Sequence, residues 1–418
     1  MTDTAKQTEG TAGGVTRTTC VVVGGGPGGA VLSLLLARKG VSVTLLEAHP
    51  DFDREFRGDT IHPSVMEIMD QLGLANRLLE MRHSRISNFT IQTGEGPFTL
   101  VDLSRLNTKF PYITVMPQTK FLEFIVEEAR KYPNFRLVMG ARVRELIEEE
   151  GAVRGVRYES EDGHHEVRAA LTVGADGRGS RTRKLAGIEP AKTSPPMDVL
   201  WFRLPREEGD PEGVVGRLGR GHIAIMLDRD TYWQAGYVIP KGGFPKLRQE
   251  GIADLKREFA DLIPEFAGRL DHLTDWRQVS LLSVESSRCP VWHRRGLLLI
   301  GDAAHVMSPV GGVGINYAIQ DAVEAANILA GPLGESQARL TNLDERYLAA
   351  VQRRRGLPTR VIQAAQAQVQ RRVLAPALRS NEPFSPPLPM RLLPRIPILR
   401  DVPGRLIGFG LRPARVKQ

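Results

Sequence analysis

A glycine-rich motif near the N-terminus has the spacing of a loop that binds phosphates. It follows the apolar run 20–23 directly, opens a helical pattern, and comprises Gly24, Gly26, Pro27, Gly28 and Gly29. In such a strand–turn–helix unit, the first glycine permits the turn, the second admits a pyrophosphate, and the third lets helix and strand pack. The N–H groups at the start of the helix then face the phosphates. The motif predicts a dinucleotide site, and by itself it does not separate FAD from NAD.

Carboxylates end three of the other apolar runs. Glu47 follows the run 43–46 and can accept hydrogen bonds from ribose hydroxyls. Asp176 follows the run 171–173, and Asp302 follows 297–300 and Gly301. An aspartate at the carboxyl end of a strand in an open sheet points into the ligand crevice, so both are expected to bind the linker between phosphate and ring. The alternative for each aspartate is a cap on the following helix.

A second glycine-rich loop leads into a helical pattern at about 315–330. Its candidate cofactor contacts are Pro309, Gly311, Gly312, Gly314, Ile315 and Asn316. The glycines bare the backbone, so its N–H groups can meet the edge of a flat ring. The N-terminus of the helix would stabilise the negative charge of a reduced flavin without a charged side chain.

The elements that position these motifs are of two kinds. The β-branched and leucine-rich runs near 20–23, 43–46 and 297–300 are typical of buried parallel strands. Helices are predicted at 30–39, 120–131, 248–260, 315–330 and 343–355. Between them, short strands with aromatic residues predict an antiparallel second sheet at 199–204, 222–227, 232–239 and 279–285.

Composition excludes several classes of protein. The net charge is +8, but residues 353–418 hold 14 Lys/Arg against Glu382 and Asp401, so the basic charge is a C-terminal feature and nucleic acid is not expected as a partner. Two distant cysteines predict neither a disulfide framework nor a metal site. Without a signal peptide or a transmembrane run, the prediction is cytoplasmic. The basic, proline-rich tail predicts an irregular cover, or alternatively a contact with a membrane surface or partner.

The order of the three motifs, Gly-x-Gly-x-x-Gly, Asp-Gly and Gly-Asp, resembles the single-component FAD-dependent monooxygenases of the p-hydroxybenzoate hydroxylase fold. The resemblance implies an α/β fold in which an antiparallel substrate domain is inserted into a discontinuous Rossmann-like FAD domain. The FAD domain is then predicted at 18–85, 110–188 and 290–345, and the substrate domain at 86–109 and 189–289. Residues 1–17 are expected to be disordered, and 346–418 to form a helix and the tail.

The resemblance also assigns roles to particular residues. Arg57 resembles the family's arginine near the FAD pyrophosphate, and Gln118 its glutamine beside the ribityl chain. Asp302 would bind that chain, Asp176 would serve FAD and the nicotinamide, and Pro309 would lie beside the ring where the substrate is attacked. The chain has no second strand–GxGxxG–helix unit, which agrees with a family in which NADPH or NADH visits, reduces the flavin and leaves. The implied reaction passes one oxygen of O₂ from a flavin C4a-hydroperoxide to the substrate.

The substrate is expected to be a small aromatic or polycyclic, mostly apolar molecule that is hydroxylated or epoxidised. Alternation places His222 and Met226 on one face of the second sheet, and Trp233 with Tyr237 on one face of the next strand. Met226, Trp233, Tyr237 and Pro309 are candidate substrate contacts, although alternation does not say which face lines the pocket. No catalytic acid or base is evident, and Arg203 and His222 are the candidate catalytic residues, which would assist ionisation of the substrate. His305 is interpreted as structural.

Three rival functions stay open at this stage. The main alternative is a flavin-dependent reductase of isoprenoid double bonds, which would need no O₂. A flavin halogenase is disfavoured because Tyr237-Val238-Ile239-Pro240 lacks the tryptophans of the halogenase motif. A non-catalytic FAD-binding module is disfavoured by the complete set of flavin-site motifs.

Overall fold

The computed structural model describes residues 14–53, 60–93, 96–210, 213–219, 221–229, 231–339, 343–380, 382, 384–392, 396 and 399–417. Arg57, predicted to lie near the pyrophosphate, falls outside the described residues.

The described strands occur in runs that are separated by helices. The strands are β1 (Val15–Val23), β2 (Val43–Leu46), β3 (Thr60–Ile61), β4 (Ser84–Ile86), β5 (Asn88–Thr93), β6 (Gly96–Asp102), β7 (Ile113–Val115), β8 (Phe135–Val138), β9 (Arg142–Glu149), β10 (Ala152–Ser160), β11 (Gly163–Gly174), β12 (Ala191–Thr193), β13 (Met197–Pro205), β14 (Val214–Gly219), β15 (His222–Asp228), β16 (Tyr232–Pro240), β17 (Ser280–Leu282), β18 (Ser286–Arg288), β19 (His293–Arg294), β20 (Leu297–Leu299) and β21 (His305–Val306). The α-helices are α1 (Pro27–Arg38), α2 (Pro63–Gln71), α3 (Ala75–Glu80), α4 (Gln118–Arg130), α5 (Arg181–Leu185), α6 (Phe244–Glu250), α7 (Ile252–Leu262), α8 (Gly314–Arg339), α9 (Glu345–Val369), α10 (Ala375–Ala377), α11 (Leu388–Leu392) and α12 (Val402–Gly408).

The first sheet carries the glycine-rich and aspartate motifs at one edge. Its strand order is β19-β20-β11-β1-β2-β8, and β20, β11, β1, β2 and β8 run parallel. The apolar side chains of α1, α4 and α8 pack with those of β1 and β2 in the largest buried cluster. β10 pairs antiparallel with the first part of β11, and β9 pairs antiparallel with β10. Because the parallel strands share a direction, their carboxyl ends lie together.

The second sheet is buried on two faces. Its order is β17-β13-β16-β15-β14-β5-β6, and its pairs are antiparallel except β14 with β5. Along β13, Leu200 and Phe202 point into a core with α7, whereas Val199 and Trp201 belong to a cluster on the opposite face. The sequence predicts a purely antiparallel second sheet. The observed sheet is mixed, because β14 and β5 pair in parallel.

Several element boundaries differ from prediction for local reasons. Residues 15–17 are not disordered, because β1 begins at Val15 and pairs with β11 from Glu166 onwards. The helix predicted at 248–260 is two helices, because Gly251 between them has φ 109°. The strand predicted at 279–285 is shorter, at 280–282. The domain boundaries themselves stay a prediction.

The proline-rich tail is more ordered than an irregular cover. It contains the helices α11 and α12, and after them Ala414 is buried in the largest apolar cluster, the one around the first sheet. Apolar side chains of both helices are exposed, among them Leu388 of α11 and Val402 of α12. In the part of the chain that the structure describes, no helix has the length and apolarity needed to span a bilayer.

Candidate functional site

The turn between β1 and α1 is built by steric necessity. A Cβ at Gly29 would lie 2.0 Å from the carbonyl oxygen of Gly24, and Gly24 itself has φ 105°. At Gly26, by contrast, a Cβ would meet nothing within 4 Å. Pro27 starts α1, where its missing N–H costs nothing. The turn thus needs Gly24 and Gly29 to fold, while the space at Gly26 faces the open N-terminus of a buried helix and fits a pyrophosphate.

The other motifs converge on this turn. A Cβ at Gly24 would lie 2.7 Å from the Cα of Asp176. One at Gly28 would lie 3.2 Å from the carbonyl oxygen of Ala318, and one at Gly301 would lie 3.0 Å from the Cβ of the same alanine. Ala318 is in α8, directly after the second glycine-rich loop. Small residues therefore let four motifs that are distant in sequence meet at the carboxyl edge of the first sheet.

The three predicted carboxylates differ in their surroundings. Glu47 is buried and accepts hydrogen bonds from the backbone N–H groups of Gly25 (2.7 Å) and His49 (3.0 Å). Asp302 is half-buried, and its Oδ2 lies 3.4 Å from Nε of Arg178. Both side chains lie at the edge where the motifs meet, and their contacts with FAD stay predictions.

Asp176 occupies a helix-capping position. Its Oδ1 accepts a hydrogen bond from the Ser180 hydroxyl (2.5 Å), and its Oδ2 accepts from the backbone N–H (2.8 Å) and hydroxyl (3.0 Å) of Thr182. The helix-cap interpretation therefore describes this aspartate, because both of its oxygens already have donors at the start of α5. Its role toward FAD or the nicotinamide stays a prediction.

A buried carboxylate that sequence reasoning missed fixes the Gly301 turn. Asp321 in α8 is fully buried and accepts hydrogen bonds from Gly301 N–H (3.1 Å), His305 Nε2 (2.6 Å) and Arg355 Nε (2.8 Å). Burial by itself would raise the pKa of Asp321, but His305 and Arg355 hold it below its ordinary value. His305 thus has a structural partner, as interpreted from the sequence. The missed signal was Asp321 in the mostly apolar stretch of α8, whereas Arg355 follows two other arginines in α9 and had no such signal.

The glycine-rich loop 308–316, called here the flavin loop, is held at its first end by one face of the last long helix. Gln366 donates to the carbonyl oxygens of Ser308 (2.9 Å) and Val310 (2.7 Å). Gln370, where α9 passes into a π-helical turn, donates to the Ser308 hydroxyl (2.5 Å). Gln366 and Gln370 are four residues apart, so both lie on the face of the helix that meets the loop. Sequence reasoning did not identify these glutamines.

The second end of the flavin loop is held by β3. Thr60 donates its hydroxyl hydrogen to the carbonyl oxygen of Gly312 (3.1 Å), and Asn316 donates to the carbonyl oxygens of Thr60 and Gly312, each at 3.2 Å. Gly311 and Gly312 have φ 79° and 62°, the left-handed region that favours glycine. The side chain of Asn316 is thus used to shape the loop. Gln118 begins α4 and is half-buried.

Three of the predicted substrate contacts lie in a core. Met226, Trp233 and Tyr237 are at most 1% exposed and pack against α7 on the face of the second sheet that is turned away from the flavin loop. The indole N–H of Trp233 donates to Asp210 (2.8 Å). This placement does not support the prediction that they contact substrate, because α7 covers them.

The two candidate catalytic residues lie on opposite faces of the second sheet, Arg203 on the face of Trp201 and His222 on the face of Tyr237. His222 is hydrogen-bonded to the hydroxyl of Tyr237 and lies 4.0 Å from Glu258 of α7. Arg203 is exposed, with its guanidinium 4.9 Å from the centre of the Tyr232 ring. Neither position supports a role as the base, and the structure does not bring the two together.

The opposite face of the second sheet does meet the flavin loop. Val310 packs into the apolar cluster that contains Val199, Ile223 and Val238, together with half-buried Phe89 and Trp201. The Trp201 ring lies across Gly236, where a Cβ would be 2.7 Å from it. Alternation had grouped Trp201 with Val199 and Arg203 but could not choose between the faces. The cluster shows that this face is the one beside Val310 of the flavin loop.

Comparison with known proteins agrees with this geometry. The family model described as "FAD binding domain" matches residues 17–365. The chain is 35% identical to 6-methylpretetramide 4-monooxygenase of Streptomyces rimosus over 95% of this chain and 93% of that protein. It is 27% identical to para-nitrophenol 4-monooxygenase of Pseudomonas sp., covering 78% and 80%. The solved structure of OxyS anhydrotetracycline hydroxylase from Streptomyces rimosus superposes with a TM-score of 0.73 at 23% identity, covering 94% of this chain and 76% of that one.

The chain belongs to the FAD-dependent monooxygenases. The family suggested by the order of the three motifs is thereby confirmed, and so is FAD as the cofactor. The isoprenoid reductase alternative is not favoured.

The open space at Gly26 gives a test of the phosphate site. We expect Gly26→Ala to fold normally, because the new methyl group meets no protein atom, yet to weaken FAD binding by roughly tenfold or more, because the methyl group occupies space for the pyrophosphate. The measurement is a titration of apoprotein with FAD, together with the melting temperature of the apoprotein. Gly268→Ala, also in open space, is the matched control. Unchanged FAD affinity in Gly26→Ala would contradict this placement.

The core position of Trp233 gives a second test. Trp233→Phe removes the donor to Asp210, so we expect a loss of roughly 1–2 kcal/mol in the free energy of unfolding. The KM for an aromatic substrate should not change. Urea unfolding and steady-state kinetics check both. A raised KM with unchanged stability would restore Trp233 as a substrate contact.

Proposed function

We propose that the protein hydroxylates, or epoxidises, a flat aromatic or polycyclic substrate held between the flavin loop and the second sheet. The observation that carries this proposal is the apolar cluster that Val310 of the loop shares with Phe89, Trp201 and Ile223 of the sheet, and to which Ala377 and Leu378 of the C-terminal region also belong. Flat aromatic side chains at a half-buried surface favour a flat apolar ligand. The relatives named for 6-methylpretetramide and para-nitrophenol support an aromatic substrate.

The protein's part in the reaction is to bind, orient and exclude water. When bound, FAD supplies the redox chemistry, accepting electrons from NADPH or NADH and passing one oxygen atom of O₂ to the substrate. The N-terminus of α8 and the bared backbone of Gly311 and Gly312 would face the edge of the flavin ring, where negative charge develops on reduction. Trp201 and Val310 would keep water from the reacting carbon.

The proposal is tested with holoenzyme and a panel of phenols of one to four fused rings. The rates of NADPH and NADH oxidation and of O₂ uptake are measured with each compound, and products are analysed by mass spectrometry under ¹⁸O₂. Incorporation of one ¹⁸O atom into an aromatic product, with stimulated O₂ uptake, is the expected result. The number of fused rings in the compounds that stimulate turnover then decides between a single-ring and a polycyclic substrate. Bound FAD that reduces isoprenoid double bonds without O₂ would contradict the proposed reaction.

The two faces of the second sheet can be compared directly. We expect Trp201→Leu to raise the KM for a polycyclic substrate by about tenfold, because a large aromatic contact is lost. Trp276→Leu is the matched control, since Trp276 packs on Phe244 at the opposite face of the sheet and should leave KM unchanged. Equal KM values for both variants would place the substrate elsewhere.

A further inference from the structure

A buried histidine lies between the flavin loop and the C-terminal helix. His62 follows β3 and is fully buried. Its Nδ1 is 2.8 Å from the carbonyl oxygen of Ile407 in α12. A carbonyl can only accept, so Nδ1 carries the proton and Nε2 is left as a bare acceptor. Burial lowers the pKa of His62 to about 4, although the bond to Ile407 opposes the shift, and the ring is therefore neutral at pH 7.

The backbone of the same residue contacts the flavin loop. The N–H of His62 donates to Oδ1 of Asn316 (2.8 Å), whose amide group in turn bonds the carbonyl oxygen of Gly312. A Cβ at Gly312 would lie 3.6 Å from Nε2 of His62. His62 thus joins α12 through its ring and the flavin loop through its backbone.

Two glycines of α12 lie close to neighbouring segments of the chain. A Cβ at Gly404 would lie 2.7 Å from the carbonyl oxygen of Asp102, and one at Gly408 would lie 3.3 Å from Leu106. On its other side, the Ile407 side chain is 3.7 Å from the position of a Cβ at Gly311. The helix therefore packs against both β6 and the flavin loop.

The backbone after α12 forms hydrogen bonds with side chains of α2, α8 and α9. Nη1 of Arg355 donates to the carbonyl oxygen of Arg412 (3.2 Å), and the N–H of Ala414 donates to Oε1 of Gln320 (3.2 Å). The same pattern continues in two further bonds, Val416 N–H to Gln71 (2.7 Å) and Lys417 N–H to Asn327 (2.9 Å). These side chains satisfy backbone N–H and C=O groups of a segment that belongs to no described strand or helix.

We propose that the segment 401–417 is an integral part of the FAD site, and that His62 is the positioning residue through which this segment holds the flavin loop in its binding form. The segment contacts the loop at Gly311 and the helix that follows the loop at Gln320. If it were loosened, the glycine-rich loop would regain conformational freedom that FAD binding must then remove. The flavin affinity and the polarity around the ring should therefore depend on the contact between His62 and Ile407.

The test compares His62→Leu with His62→Asn in the full chain. The leucine removes the donor to Ile407, whereas the asparagine amide can place a donor near the position of Nδ1. Apoprotein is titrated with FAD while flavin fluorescence and the visible spectrum are recorded. We expect His62→Leu to weaken FAD binding by about tenfold and to shift the flavin absorption band, and His62→Asn to restore both to within about twofold of wild type.

A second pair of variants does not depend on whether His62→Leu folds. Gly404→Ala forces α12 away from the Asp102 carbonyl, and it should weaken FAD binding as His62→Leu does. Gly356→Ala, in α9 and in open space, is the matched control and should bind FAD normally.

Wild-type FAD affinity and spectrum in both His62→Leu and Gly404→Ala would overturn the proposal. So would a lowered melting temperature of the apoprotein with unchanged FAD affinity, since that result describes a merely structural role. These readouts do not involve the substrate. A holoenzyme that binds FAD in this way but hydroxylates no aromatic compound would refute the proposed function and leave this proposal intact.

Discussion

The arrangement of the flavin site depends on the burial of one carboxylate. Asp321 is removed from water in the middle of the first domain, and it is kept ionised by Arg355, His305 and the N–H of Gly301. A buried ion pair contributes little net stability, but removing one partner leaves an uncompensated charge that costs about 3–5 kcal/mol. The pair therefore fixes relative positions rather than adding affinity between elements. It ties α9 to α8, α8 to the turn that carries Asp302, and, through Arg355, the carbonyl of Arg412 in the C-terminal segment.

This network explains why the cofactor site can be built from loops with so little side-chain bulk. Glycines let the backbone approach a ligand, but each one costs conformational entropy when the loop is fixed. Hydrogen bonds from neighbouring elements offset part of this entropy cost in the flavin loop. Gln366 and Gln370 hold its first residues, Thr60 and Asn316 hold Gly312, and α8 continues from its end. Most of these supports bond backbone carbonyls of the loop, and the others bond the side chains of Ser308 and Asn316 at its two ends.

How much of this was predictable from the sequence depends on whether the signal was local. Gly24, Gly29 and the runs around them predict the first βαβ unit, because each requirement lies within one turn. The choice between the two faces of β16 was not local. Strand alternation separates Trp233 from Gly236 and Val238, but only the position of α7 shows which face is covered. The same limit applies to His62, whose partners Asn316 and Ile407 are 254 and 345 residues away in the sequence. It also applies to Asp321, whose partners belong to other elements 16 to 34 residues away. For Asp176 the structure shows hydrogen bonds to the start of α5, while its role as a ligand residue at the same strand end stays a prediction.

The charges near the flavin loop also suggest how the ring's electronics are set. Arg355 and Asp321 neutralise each other within α8 and α9, and His62, the ionisable side chain that reaches the loop from β3, is neutral at pH 7. A further fixed electrostatic influence at the loop is the N-terminus of α8 with the bared N–H groups of the glycines, which is positive and directional. A dipole of this kind favours negative charge at one edge of the ring without offering an exchangeable proton there. A protonated His62 would add both a charge and a proton, which is why its burial matters as much as its hydrogen bond.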